Sequence, residues 1–343
     1  MKKESKSIYL PILLILFSVI VSGKKVAVLP GLLNPFEFII DADRIYIPDE
    51  ATIFIYSLED CSLIKKFGKE GEGPQEFYLD RAGGNNQVSI FFKDDQLLVN
   101  SFGRMSYFTK AGEYLHEIKI PGTVGRWFGA LKDKFIGRKF SRDKNQVKYH
   151  HILMYDSNFK LIKEIYRHEH SLNLRLNKKF NPLTIDQADF KICDNKIFVI
   201  DSERTRIIIY NEKGEKMATI IPEVIRVEFT KEDKEELIKD FKFSPMWTRL
   251  YAARKSLFQF PDFYPPIRNF YLDAGGKRIY IQGFYSDNEK IEYLIFDFKG
   301  KLIKRAMLPF EIESRTKFYN GKLYQVMLNE ETEEFELHVS EVN

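Results

Sequence analysis

Beyond residue 23 the chain contains no long apolar stretch, no heptad and no low-complexity tract. Short runs rich in β-branched and aromatic residues alternate with polar turns built on Gly, Asn and Asp, the pattern of strands joined in hairpins. The runs repeat. "DRIYIPDEATIFIYSLEDCSLIKKFG" at 43–68 and "NKIFVIDSERTRIIIYNEKGEKMATI" at 195–220 both read strand, polar turn, strand, Asx or Gly turn, strand. Further copies begin at Asp95 and Lys277, and more degenerate ones at Asp133 and Gly321. One more apolar segment precedes each copy: "FEFII", "VSIFF", "WFGAL", "DFKIC", "NFYLD" and "RTKFY". Six units of four strands predict an all-β fold, a six-bladed β-propeller, whose blades are four-stranded sheets around a channel. A large sandwich or barrel would not require copies this regular.

Two segments depart from the repeat. Blade six offers only "TKFYN", "KLYQVML" and "EFELHVSEV". The segment "KVAVLPG" from Lys25 matches the outer strands "KRAMLPF" and "HEIKIPG" in length, apolar pattern and closing Pro. Val26 to Leu29 are therefore expected to pair antiparallel with the stretch from Glu336 to Val342, hiding an edge that would invite aggregation. Between blades four and five, residues 229–266 predict a helical insertion. Thr230 is placed to cap "KEDKEELIKDF", acids fill the first turn, and Leu237, Ile238 and Phe241 share a side. Ser244 and Pro245 start a second helix, with Met246, Leu250 and Ala253 at helical spacing. The insertion reads as a cover for a blade edge, with a lid over a ligand as the alternative.

The copies also carry a resemblance. "VIDSERTRIIIYNEKGE" resembles the NHL repeat, with an Asp and an Arg five residues on (Asp201 and Arg206), apolar alternation and a turn at Gly214. "FGKEGEGPQEF" at 67–77 resembles the G-x-G-P-x-E-F crossover of NHL-like and TolB-like six-bladed propellers of bacterial secreted proteins. The resemblance spans the chain from residue 24 and implies a fold rather than a reaction. The glycine-rich stretch lacks the Lys-Ser/Thr of a phosphate loop and opens no helix. It reads as a turn in which glycines supply positive φ, Pro74 fixes the exit, and Phe77 plugs the gap between blades one and two.

Composition narrows the setting. Lys2, Lys3 and Lys6 precede an apolar run from Ile8 to Val21 and then small residues, the layout of a cleaved secretory signal over 1–23. The run is too short to span a bilayer comfortably, so no stable membrane anchor is expected after cleavage. A periplasmic or extracellular location follows. Of 343 residues, 53 are Lys or Arg and 49 Asp or Glu, giving +4, which shows no basic excess of the kind nucleic-acid binders carry. Cys61 and Cys193 fall in blades on opposite sides of the ring, too far apart for a disulfide, and no disulfide scaffold is possible. A monomer is expected.

Aligning the inner strands gives one mostly polar position per blade: Glu37, Ser89, Trp127, Asp189, Asn269 and Arg315. Two residues on come Ile39, Phe91, Gly129, Lys191, Tyr271 and Lys317. Side chains alternate along a strand, so these sets are expected to tilt toward the channel. They either tie neighbouring blades together or form a small-ligand or ion site. Glu37, Asp189 and Asn269 are oxygen donors of the kind Ca²⁺ takes, which makes Ca²⁺ the one cofactor worth testing. In blade three His150, His168 and His170 could share a face, as Zn²⁺ would need, but the spacing fits exposed outer-strand histidines better. No Ser-His-Asp order stands out. The leading expectation is a secreted binding module for a protein, glycan or small ligand. The alternative is a metal-dependent propeller enzyme, lactonase- or lyase-like, with its site in the central channel.

Overall fold

The computed structural model describes residues 24–73, 75–79, 87–101, 103–121, 127–170, 172, 177–184, 188–309 and 314–342; for 24–26 and 127 only the backbone is placed. The expected signal segment and Pro74 lie outside the described residues.

Six four-stranded antiparallel sheets form the blades. Blade one takes Ile39–Asp41, Arg44–Asp49, Thr52–Ser57 and Leu63–Phe67. Blade two takes Ser89–Lys93, Gln96–Ser101, Arg104–Thr109 and Tyr114–Lys119. In blade three, Trp127–Leu131 is followed by the longer Lys134–Arg142, Lys148–Tyr155 and Leu161–Glu169. Blade four consists of Asp189–Cys193, Lys196–Ile200, Ile207–Tyr210 and Lys216–Ile220. Blade five consists of Asn269–Asp273, Arg278–Asp287, Lys290–Asp297 and Leu302–Pro309. Blade six is built from Arg315–Tyr319, Lys322–Asn329 and Glu334–Glu341, and its outer place is filled by Lys24–Val28. That first strand pairs antiparallel, Val28 opposite Glu336 and Lys24 opposite Val339. The Leu29 amide adds a hydrogen bond to the Phe335 carbonyl at 2.8 Å.

The core lies between blades rather than within one centre. Each junction holds its own apolar cluster. At the first junction Ile53, Ile55 and Phe77 meet Leu97, Val99 and Phe108. Fully burying a side chain of this size stabilises by about 1.5–3 kcal/mol. The turn at 68–77 serves that junction. Gly68 has φ +85°, and a Cβ there would come within 2.7 Å of the Ala51 carbonyl and run into the Phe77 ring. The Glu76 carboxylate accepts the Gly73 amide at 2.8 Å and pairs with Lys69 at 2.9 Å. Phe77 is fully buried. Gly73 is not in the left-handed region, so the positive φ expected of these glycines holds at Gly68 and not there.

The outermost ladders of blades one to five share a detail. Each slips by one residue just before the hairpin turn, at Tyr56, Phe108, Tyr155, Tyr210 and Phe296. The turn then places one residue at positive φ: Cys61, Gly112, Phe159, Gly214 and Gly300. A bulge of this kind adds twist where neighbouring blades must wedge together. Asp156, Asn211 and Asp297 fasten their turns by accepting two later backbone amides each.

The insertion contains helices Lys231–Asp240 and Pro245–Arg254. Thr230 and Asp233 form a reciprocal capping box. Phe241, Leu250, Leu257 and Phe258 close an apolar cluster around Phe180, with Trp247 and Tyr251 at its edge. Met246 and Ala253 face solvent, so the buried stripe of the second helix is Trp247, Leu250 and Tyr251 instead. The Phe180 amide donates to the Leu257 carbonyl, and the Gln259 amide to the Phe180 carbonyl, both at 2.9 Å. The insertion thus docks on the segment leading into blade four.

Candidate functional site

Antiparallel order makes every inner strand start on the face that carries the crossovers between blades, and this upper face also holds the insertion. Ser89, Trp127, Asp189, Asn269 and Arg315 each open their inner strand there, and Glu37 lies just before the strand of blade one. The alignment of blades therefore holds at this level. Two of these groups tie neighbouring blades. Asp189 pairs with Arg138 of blade three at 3.3 Å. Arg315 Nε donates to the Pro35 carbonyl at 2.7 Å, bridging blades six and one. Asn269 accepts the Phe270 amide at 2.8 Å and donates to the Tyr271 hydroxyl at 3.2 Å. Ser89 is half-buried opposite Asn100, and the Trp127 side chain lies outside the described residues.

One level deeper the channel is asymmetric. Blades one to three present Ile39, Phe91 and Gly129, whereas blades four to six present Lys191, Tyr271 and Lys317 at the equivalent register. Lys191 Nζ lies 5.2 Å from the Phe270 ring centre and 5.8 Å from that of Tyr271. Burial, and then the neighbouring Lys191 ammonium, bring the Lys317 pKa down to about 8, with Glu37 and Asp189 opposing. Burial also raises the Tyr271 hydroxyl, against hydrogen bonds from Asn269 and Thr316 that lower it.

Beside this mouth lies a cavity of about 380 Å³, lined by Leu183, Arg204, Tyr264, Pro265, Arg268 and Phe284. Arg204 occupies the turn between the middle strands of blade four at φ +57°. Its Nε donates to the Ile267 carbonyl at 2.7 Å, and its Nη2 to the Arg268 carbonyl. Burial depresses its pKa to about 10, which Asp189, Tyr271 and Asp201 oppose. Tyr264 stacks on Phe284 with centroids 4.5 Å apart and planes at 19°, and Arg268 lies 5.5 Å from the same Phe284 ring centre. The Tyr264 hydroxyl meets Asp233, the capping carboxylate of the first helix; burial, then that carboxylate, push it up to about 12. One wall of the cavity is thereby fixed to the insertion. Sequence alignment of the blades missed Arg204, Arg268, Tyr264 and Phe284, because a turn, a crossover and an extended hairpin supply them rather than the inner strands.

Blade three holds a second constellation. Ser141 Oγ lies 2.7 Å from His151 Nε2, and His151 Nδ1 lies 2.6 Å from Glu164 Oε2. A hydroxyl, an imidazole and a carboxylate in that order can activate the hydroxyl as a nucleophile. Only the strand register reveals it, since Ser141 faces Tyr149 and meets His151 diagonally. His150 faces His168 directly, with ring centres 5.1 Å apart. His150 and His170 are buried, not exposed as the sequence suggests, because Phe140 packs over both rings. Among the described residues no three His, Cys, Asp or Glu side chains are grouped to hold a metal ion.

No family model matches the chain, and no curated protein matches it in sequence. Among solved structures it is similar to a protein of Bacteroides fragilis inferred to be exported, at TM-score 0.51 and 9% identity, covering 94% of this chain and 95% of that one. It is also similar to a DUF4221 family member from Bacteroides vulgatus, at TM-score 0.49 and 9% identity, covering 94% and 98%. The likeness lies in the fold, which is a six-bladed propeller along nearly the whole chain.

Proposed function

We propose that the chain is an exported binding propeller that takes a small organic ligand at its upper face. The cavity between the insertion and the channel mouth carries this reading, because it joins stacked aromatics to two arginines at one end of a propeller channel. The N-terminal basic and apolar pattern supports export, and the Asp201–Arg206 pair supports kinship with NHL-type repeats. A thermal-shift screen of sugars, nucleosides and organic acids tests the reading. At least one class should raise the melting temperature of the parent but not of Phe284→Ala. A flat response across the screen counts against it.

A second reading rests on Ser141, His151 and Glu164. In a hydrolase built on them, Ser141 Oγ attacks an acyl carbonyl while His151 Nε2 takes the proton. Fluorophosphonate labelling that disappears in Ser141→Ala favours this reading. A parent that stays unlabelled leaves the binding reading alone.

A further inference from the structure

Two ammonium groups share the channel, and among the described residues neither has a carboxylate in an ion pair. Lys191 and Lys317 stand at the same register on inner strands that flank blade five, with Tyr271 between them. Neither makes an ion pair with any described residue. Among the described residues Glu37 and Asp189 act on Lys317 through space alone, and Asp189 is itself held by Arg138 at 3.3 Å. Lys191 gains partial compensation from the Phe270 and Tyr271 rings. Both lysines are partly buried, and cations drawn out of water without a partner are costly, so proteins normally pair them. Across the channel the equivalent places are Ile39, Phe91 and Gly129, which offer apolar surface and no competing charge.

We propose that Lys191 and Lys317 together bind the anionic group of the ligand, a carboxylate or a phosphate, whose apolar body lies toward Ile39 and Phe91. This inference deepens the binding reading and rests on it for the route of entry past the upper mouth. An anion between the two ammonium groups turns their repulsion into attraction and supplies the missing counter-charge. Arg204 and Arg268 at the mouth add positive potential along the same path.

Thermal unfolding of the mature protein tests the site with inorganic phosphate, benzoate and the neutral isostere benzamide, at matched ionic strength. Benzoate or phosphate should raise the melting temperature while benzamide does not, and whichever acts better identifies the anion class. Lys317→Met and Lys191→Met should each abolish that rise. In anion-poor buffer Lys317→Met should melt no lower than the parent, since it removes a like-charge contact, so loss of the response cannot be blamed on misfolding. Equal anion responses in the parent and both variants, or no response in the parent, overturn the proposal. If anions have no effect but a screened ligand remains sensitive to Phe284→Ala, the anion site fails and the binding reading stands. An anion response lost in the Lys variants, with no ligand sensitive to Phe284→Ala, supports the anion site and counts against the mouth cavity.

Discussion

Arg206 Nε lies 3.1 Å from the carboxylate of Asp201, a residue only 3% exposed. The same carboxylate accepts the Thr205 amide and the Thr205 hydroxyl, both at 2.7 Å. It folds the turn at 201–206 and so sets Arg204 at positive φ against the upper-face cavity. Asp201→Ala leaves several donors without an acceptor and should cost on the order of 2–4 kcal/mol in denaturant unfolding. It should also weaken any ligand that reaches Arg204. An unchanged unfolding midpoint would mean that the turn holds without its carboxylate.

Lys317 predicts a pH dependence with a definite sign. Its folded pKa, about 8, lies below the ordinary lysine value of 10.5, so between those values the unfolded state binds more protons. The penalty is full below pH 8 and relieved as pH rises toward 10.5. The parent should therefore gain stability relative to Lys317→Met from pH 7.5 to 9.5, the comparison cancelling other titrations. Parallel stability curves for the two proteins would contradict this.

Gly68 and Gly73 are predicted to differ. A side chain at Gly68 must adopt φ +85° and displace either the Ala51 carbonyl or the buried Phe77 ring. Gly68→Val should cost about 2–4 kcal/mol through strain and overpacking. At Gly73 the nearest atom to a new Cβ is the mobile Glu76 carboxylate at 3.0 Å, with no left-handed φ. Gly73→Ala should cost clearly less. Equal losses in chemical denaturation would refute this account of the turn.

Removing residues 24–30 takes away the outer strand of blade six and Leu29 from the cluster at the last junction. A chain that begins at Gly31 should melt lower than one that begins at Lys24, by on the order of 10 °C, and self-associate through the bared edge. A soluble monomer with the parental melting temperature would show that the strand is dispensable.

How much of this was readable in advance depends on how local the cause is. The bulged outer turns announce themselves where Gly supplies the left-handed residue, as at Gly112, Gly214 and Gly300. At Phe159 they do not. There a phenylalanine accepts the unfavourable φ because its ring is buried 4.8 Å from Phe135, a long-range reason invisible to local pattern. Met246, Leu250 and Ala253 fit helical spacing equally well. Which face of that helix is buried was decided by Phe180, more than sixty residues earlier. The register of the inner strands was legible because it repeats from blade to blade. The cavity was not, since Arg204 and Phe284 come together only once blades four and five are set side by side.

The strand pairing Val28 with Glu336 has a consequence for the order of events during synthesis. The two segments that seal the ring lie over 300 residues apart, so the blades made first must wait for one of the last strands to emerge. Until then the incomplete ring exposes two sheet faces and a free edge. An unsealed chain of that kind is what a chaperone can hold. Closure then becomes a single late step, which awaits nearly the whole chain.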